Sequence, residues 1–139
     1  MIRSIVFASL AAASFAVSAQ DKMEPGEWEL TTTVTMAGMP KPQTATVKHC
    51  IKKEDIDDPS RWMGGKPPGS DCTLTPGQRE AGSATWEMSC PSSGMKGQGR
   101  ARFAKGMMDS EMKMSGMQQG QKFEVHTRTR GRRLGPCGS

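Results

Sequence analysis

Four sets of residues in this chain carry chemistry by type: two histidines, four cysteines, twelve methionines and a basic run near the C-terminal end. Nucleophilic catalysis needs a base within reach, and carboxylate catalysis needs a pair whose surroundings drive their pKa values apart. His49 and His126 each sit inside an alternating segment with no serine or aspartate motif beside them, and neither Gly-x-Ser-x-Gly nor His-Glu-x-x-His occurs. Glu54, Asp55, Asp57 and Asp58 crowd one expected helical turn, where a solvated acidic face accounts for them. No catalytic set emerges, and the expectation is a protein that is not an enzyme.

Soft-metal binding is a sharper idea. Thioethers suit Cu(I), and Met36 with Met39, Met107 with Met108 and Met112 with Met114 fall in pairs, with Met117 nearby and His126 as a companion. A copper-binding protein is the alternative reading. Against it, flexible methionines also fill cores that lack aromatics, and aromatic residues make up only 5% of this chain. A zinc site built from the four cysteines is disfavoured because no Cys-x-x-Cys pair occurs. No cofactor is expected.

The basic run is Lys122, Arg128, Arg130 and Arg132, all at even positions, with Arg133 adjacent and Glu124 the one opposing charge. On a strand these line one face. Such a stripe either guards an edge strand against pairing or contacts an anionic envelope component, for which the planar guanidinium fork suits phosphate. The formal charge of the whole chain is +5. That is too small and too diffuse to argue for nucleic acid.

Positioning these residues falls to the elements around them. Residues 1–19 read as a Sec signal peptide: Arg3 is the charged n-region, Ile5 to Phe15 the apolar core and Val17-Ser18-Ala19 the cleavage site. The apolar run is too short to span a bilayer, so no transmembrane segment is expected after cleavage. The remaining residues, 20–139, suit one small domain. Four cysteines in an exported domain point to two disulfides.

Cys72 to Cys90 folds naturally at Glu80-Ala81-Gly82 as a three-residue hairpin loop, with Gly82 where positive φ is needed. Cys72 then faces Cys90 and Leu74 faces Met88. One side of the ribbon is apolar and the other polar, which supports the same register. A Cys72–Cys90 bridge leaves Cys50 to Cys137. Glu24 to Met36 alternates cleanly, with Trp28, Leu30, Thr32, Val34 and Met36 on one side, and Gln43 to Ile51 reads as the returning strand. Lys52 to Asp58 makes a helical turn stopped by Pro59, and Arg61 to Ser70 is a Gly/Pro-rich loop. Three further strands follow: Gly97 to Ala104, expected to bend or bulge at its glycines, then Asp109 to Met117 and Gln121 to Arg133. The fold class is therefore all-β: an antiparallel meander of about seven strands, disulfide-stapled, forming a curved sheet or a partly closed barrel. Trp28, Leu30, Trp86, Met88, Phe103, Phe123 and Val125 face inward, where they fill the interior themselves or enclose an apolar small ligand. The chain is expected to be a monomer.

The ordered series Pro25-Gly26-Glu27-Trp28-Glu29, Met36-Ala37-Gly38-Met39-Pro40, Cys50-Ile51-Lys52-Lys53-Glu54-Asp55, Asp71-Cys72, Trp86-Glu87-Met88-Ser89-Cys90 and Gly135-Pro136-Cys137 resembles the bacterial domain-of-unknown-function family 3617. These are small exported proteins of Gram-negative bacteria. The resemblance implies a periplasmic β-rich domain with no assigned activity, and it transfers no catalytic residue. The family's usual threonine after the first cysteine motif is replaced by Lys52-Lys53. With the composition, it points to a binding or envelope-associated protein.

Overall fold

A computed structural model describes residues 23–57 and 70–138. The expected signal peptide, the helix stop at Pro59, and most of the Arg61–Ser70 loop with Trp62 and Met63 lie outside the described residues. Seven strands follow one another: β1 (Gly26–Met36), β2 (Gln43–Ile51), β3 (Thr73–Glu80), β4 (Ser83–Cys90), β5 (Met95–Ala104), β6 (Met107–Gln118) and β7 (Gln121–Gly135). Among the described residues, a short helix, α1 (Lys53–Asp57), lies between β2 and β3. Without a threonine, α1 is capped from inside: the Asp55 carboxylate accepts the Lys52 backbone N–H at 2.9 Å. That is the reciprocal half of a capping box.

The strands form one antiparallel sheet in the order β2-β1-β7-β6-β5-β4-β3. From β3 to β7 the chain meanders, each strand pairing with the next. The β1–β2 hairpin then adds to the far side of β7 through pairs such as Leu30 with Gly131 and Thr32 with Thr129. The sheet is open, with β2 and β3 at its edges. Of the two expected forms, the unclosed sheet is therefore the one adopted. β7 is an interior strand, so its arginines do not guard an edge.

Period-two alternation sorts the side chains into two faces. The apolar face carries Trp28, Leu30, Phe103, Trp86, Met88, Phe123 and Val125, as expected. Its core is Trp28, Leu30, Ile51 and Met108 with Met23, against which Ile56 of α1 and Phe103 pack. Trp28 is fully buried, and its indole N–H donates to the Glu24 carbonyl at 3.0 Å, so no polar group is stranded there. At the middle of this core β7 contributes Gly131. A β-carbon there would come within 3.0 Å of Leu30, 3.2 Å of Met108 and 3.3 Å of Trp28, so the glycine makes room for the three large side chains.

The glycines of β5 do the same work. A bulge is not formed: β5 keeps unbroken register with β4 and β6. Gly97 and Gly99 instead face the apolar side, Gly99 beneath the Trp86 ring and Gly97 beside the Met114 side chain. Small residues on one strand admit large ones from the strands on either side.

The stapled hairpin keeps the expected pairing at its open end and changes it at the turn. Leu74 faces Met88, and Thr73 faces Ser89. The turn, however, has two residues, Ala81-Gly82, because Glu80 already pairs with Ser83. A bulge between Pro76 and Arg79 absorbs the difference of one residue. The Thr85 hydroxyl secures it by accepting the Gln78 N–H at 2.9 Å. Gly82 has φ 75°, the left-handed conformation expected of it. Both disulfides form, Cys72–Cys90 across the hairpin and Cys50–Cys137 between the end of β2 and the segment after β7. In the chain-entropy view these closures contribute roughly 3 and roughly 4.5 kcal/mol.

Candidate functional site

The opposite face of the sheet is polar, and its middle is a lattice of arginines and carboxylates. Three rows run across the strands. In the first, Glu29 of β1 stands beside Arg132 of β7. In the second, Arg130 of β7, Asp109 of β6 and Arg102 of β5 stand side by side. In the third, Arg128, Glu111 and Arg100 do so. Flanking positions are filled by short hydroxyl residues, including Thr31 and Thr33 of β1 and Ser83 and Thr85 of β4. Strand alternation puts these residues on one side, and the topology brings β1, β7, β6 and β5 together.

The bonds do not simply follow the rows. Arg100 donates from Nη2 and Nε to Glu111 Oε2 at 2.8 and 3.2 Å, directly across the strand pair. Arg128 bypasses Glu111 and donates diagonally to Asp109 Oδ2 at 2.8 Å. Arg130 Nε lies 3.5 Å from that same oxygen. Arg132 donates to Glu29 Oε1 at 2.9 Å. Two guanidiniums thus share Asp109, and Arg102, also across from Asp109, has no carboxylate partner among the described residues. Five arginines face three carboxylates, so the lattice remains net positive.

The electrostatics follow the contacts. The Arg100 hydrogen bond holds the Glu111 carboxyl below the ordinary carboxylate range, opposed by burial and helped by the charges of Arg100, Arg128 and His126. The Asp109 bond and charge hold Arg128 above the ordinary arginine value. Exposed ion pairs of this kind contribute about 0–1 kcal/mol each. They orient the guanidinium forks more than they stabilise the fold. Arg100, Arg130 and Arg132 stay open to solvent, at 62%, 68% and 66% side-chain exposure.

A cavity of about 250 Å³ opens among Arg100, Arg102, Arg128, Asp109 and Glu111. Beside it a broader cleft of about 670 Å³ crosses β3 to β6, lined by polar side chains that include Thr75, Thr85, Glu87, Gln98 and Lys113. The Nε of Arg128 is buried and hydrogen-bonds to nothing among the described residues.

Of the residues expected from the sequence, Arg128, Arg130 and Arg132 do come together on one face. Lys122 is on that face but apart from them, near the β6–β7 turn, where it pairs with Glu124 at 3.1 Å. Arg100 and Arg102 were not anticipated as members. Their spacing puts Arg100 and Arg102 on one face of β5, but only the strand order sets that face beside β7. The copper set is not assembled around His126: Met112 and Met114 stand beside Thr127 and Val125 on the apolar face, while His126 stands beside Lys113 on the polar one. Met107 and Met117 are exposed, and Met108 is buried in the core. Among the described residues no three His, Cys, Asp or Glu side chains group as metal ligands. His49, across from Trp28, and His126, across from Thr35, lie on opposite faces.

No described helix is long and apolar enough to cross a membrane. Residues 23–137 match the model of the family described as "Protein of unknown function (DUF3617)". No curated protein and no solved structure matches the chain.

Proposed function

The chain belongs to the DUF3617 family of proteins of unknown function, and from that premise we propose that it is an exported periplasmic binding protein, without catalytic activity, whose polar sheet face meets an anionic component of the cell envelope. The observation that carries this reading is the excess of guanidinium over carboxylate on an open face, at Arg100, Arg102, Arg128, Arg130 and Arg132. On the apolar face, Trp28, Leu30, Ile51 and Met108 already pack on one another with Met23, Phe103 and Ile56 of α1, which favours the anion over an apolar ligand at that part of the sheet. Lipid headgroup and lipopolysaccharide phosphates are the anions such an envelope offers. Each basic residue near an anionic surface contributes about 1 kcal/mol, and the attraction fades within a Debye length of about 8 Å at physiological salt.

Co-sedimentation tests the reading. The protein should bind phosphatidylglycerol vesicles at low salt, release from them as salt rises, and ignore phosphatidylcholine vesicles. The triple variant Arg128→Gln/Arg130→Gln/Arg132→Gln, with unchanged circular dichroism, should lose most retention. Wild-type protein that ignores both vesicle types at low salt overturns the proposal.

A further inference from the structure

We propose that the small cavity among Arg100, Arg102 and Arg128 is a discrete binding site for a phosphomonoester or inorganic phosphate group. The inference rests on the reading of the polar face as anion-binding and names the chemistry that its centre selects. Three guanidiniums line the cavity, and Arg102 has no carboxylate partner among the described residues although it stands across from Asp109. Asp109 is already engaged by Arg128 and Arg130 through its Oδ2. The fork of Arg102 is thus left for a bidentate oxyanion. The volume, about 250 Å³, is that of roughly eight waters at about 30 Å³ each, ample for one tetrahedral group.

The two carboxylates decide which tetrahedral anion fits. Each commits one oxygen to its arginines, Asp109 through Oδ2 and Glu111 through Oε2. Asp109 Oδ1 and Glu111 Oε1 remain as acceptors beside the cavity. An ionised carboxylate repels a fully deprotonated oxyanion but accepts a hydrogen bond from one that keeps a P–OH. A phosphomonoester keeps that proton below its second pKa of about 6, and inorganic phosphate keeps it at mildly acidic pH as well. Sulfate and phosphodiesters do not carry it. At mildly acidic pH the site therefore prefers phosphate over sulfate, and a terminal phosphomonoester over a diester.

The experiment is calorimetric titration of the intact domain with inorganic phosphate and with sulfate at matched ionic strength and mildly acidic pH. Phosphate should bind with one-to-one saturation and sulfate at least tenfold more weakly. Arg102→Ala should weaken phosphate at least tenfold, Arg102→Lys should weaken it less, and Lys122→Ala should leave it unchanged. Vesicles then separate the sources of the group, with phosphatidic acid offering a monoester and phosphatidylglycerol a diester. Retention on phosphatidic acid that depends on Arg102 and is displaced by free phosphate assigns the site to a headgroup. Phosphate binding without vesicle retention assigns it to a soluble phosphomonoester and overturns the envelope reading alone. Vesicle retention with no saturable phosphate binding, phosphate and sulfate bound equally, or an Arg102→Ala variant that binds phosphate like wild type overturns the site.

Discussion

The indole of Trp86 lies on the backbone of Gly99, its cross-strand neighbour on β5, leaving no room for a β-carbon between them. The ring occupies the space that a side chain at position 99 would take. Gly99→Val should therefore destabilise the domain by about 2 kcal/mol or more, since overpacking forces the ring or the strand to move. Gly138→Ala, where a β-carbon meets nothing within 4 Å, is the matched control and should change stability little. Denaturant unfolding measures both. Equal effects would mean that the Trp86 contact does not constrain β5.

The two disulfides should contribute unequally. Non-reduced peptide mapping should link Cys72 to Cys90 and Cys50 to Cys137, the latter closing a separation of 87 residues. Cys72→Ala/Cys90→Ala should cost roughly 3 kcal/mol and Cys50→Ala/Cys137→Ala roughly 4.5 kcal/mol in the chain-entropy view. A larger loss from the short loop would show that hairpin geometry matters more than loop length.

Packing, not ligation, should govern the methionines of the apolar face. Met112→Leu and Met114→Leu, both half-buried, should each change stability by less than about 1.5 kcal/mol. Met108→Ala, which empties part of the core, should cost about 2–5 kcal/mol. Stoichiometric Cu(I) binding abolished by the two leucine substitutions would reverse this assignment.

Glu111 sets an acid dependence with a definite sign. Its carboxyl titrates lower in the folded chain than in the unfolded one because Arg100 bonds the charged form. The stability from this pair is fully present above the unfolded carboxylate pKa and is lost as pH falls through the lower, folded value. Melting temperature against pH should thus decline less steeply on the acid side in Arg100→Ala than in wild type. Parallel profiles would show that Glu111 contributes nothing to the acid limb.

Local pattern made much of this fold legible. The register of Leu74 with Met88 followed from alternation and the cysteines alone, and β2 matches its expected bounds. The apolar face was also readable, because period two assigns Trp28, Leu30, Trp86 and Phe123 without knowing which strands touch. The turn at Ala81-Gly82 was misplaced by one residue because the bulge after Pro76 compensates for it, and a shorter loop with a bulge preserves the same outer pairs. The candidate site was half legible. Arg128, Arg130 and Arg132 share a face by spacing, but Glu29 pairs with Arg132 across 103 residues of chain, and such a pairing has no local signature. Arg100 and Arg102 stayed hidden for the same reason.

The placement of β7 between β1 and β6 has a kinetic consequence. β3 to β7 can assemble by short hairpins, each closing a few residues of chain. The β1–β2 hairpin has no partner in that series until β7 exists, and it must wait across the largest loop in the domain. Cys72–Cys90 can therefore oxidise early, within a single hairpin, whereas Cys50–Cys137 can close only after the two parts of the sheet have met. In a refolding time course the second bond is a clock for completion: a species carrying only Cys72–Cys90 has a meander and a detached hairpin, and one carrying both has a finished sheet.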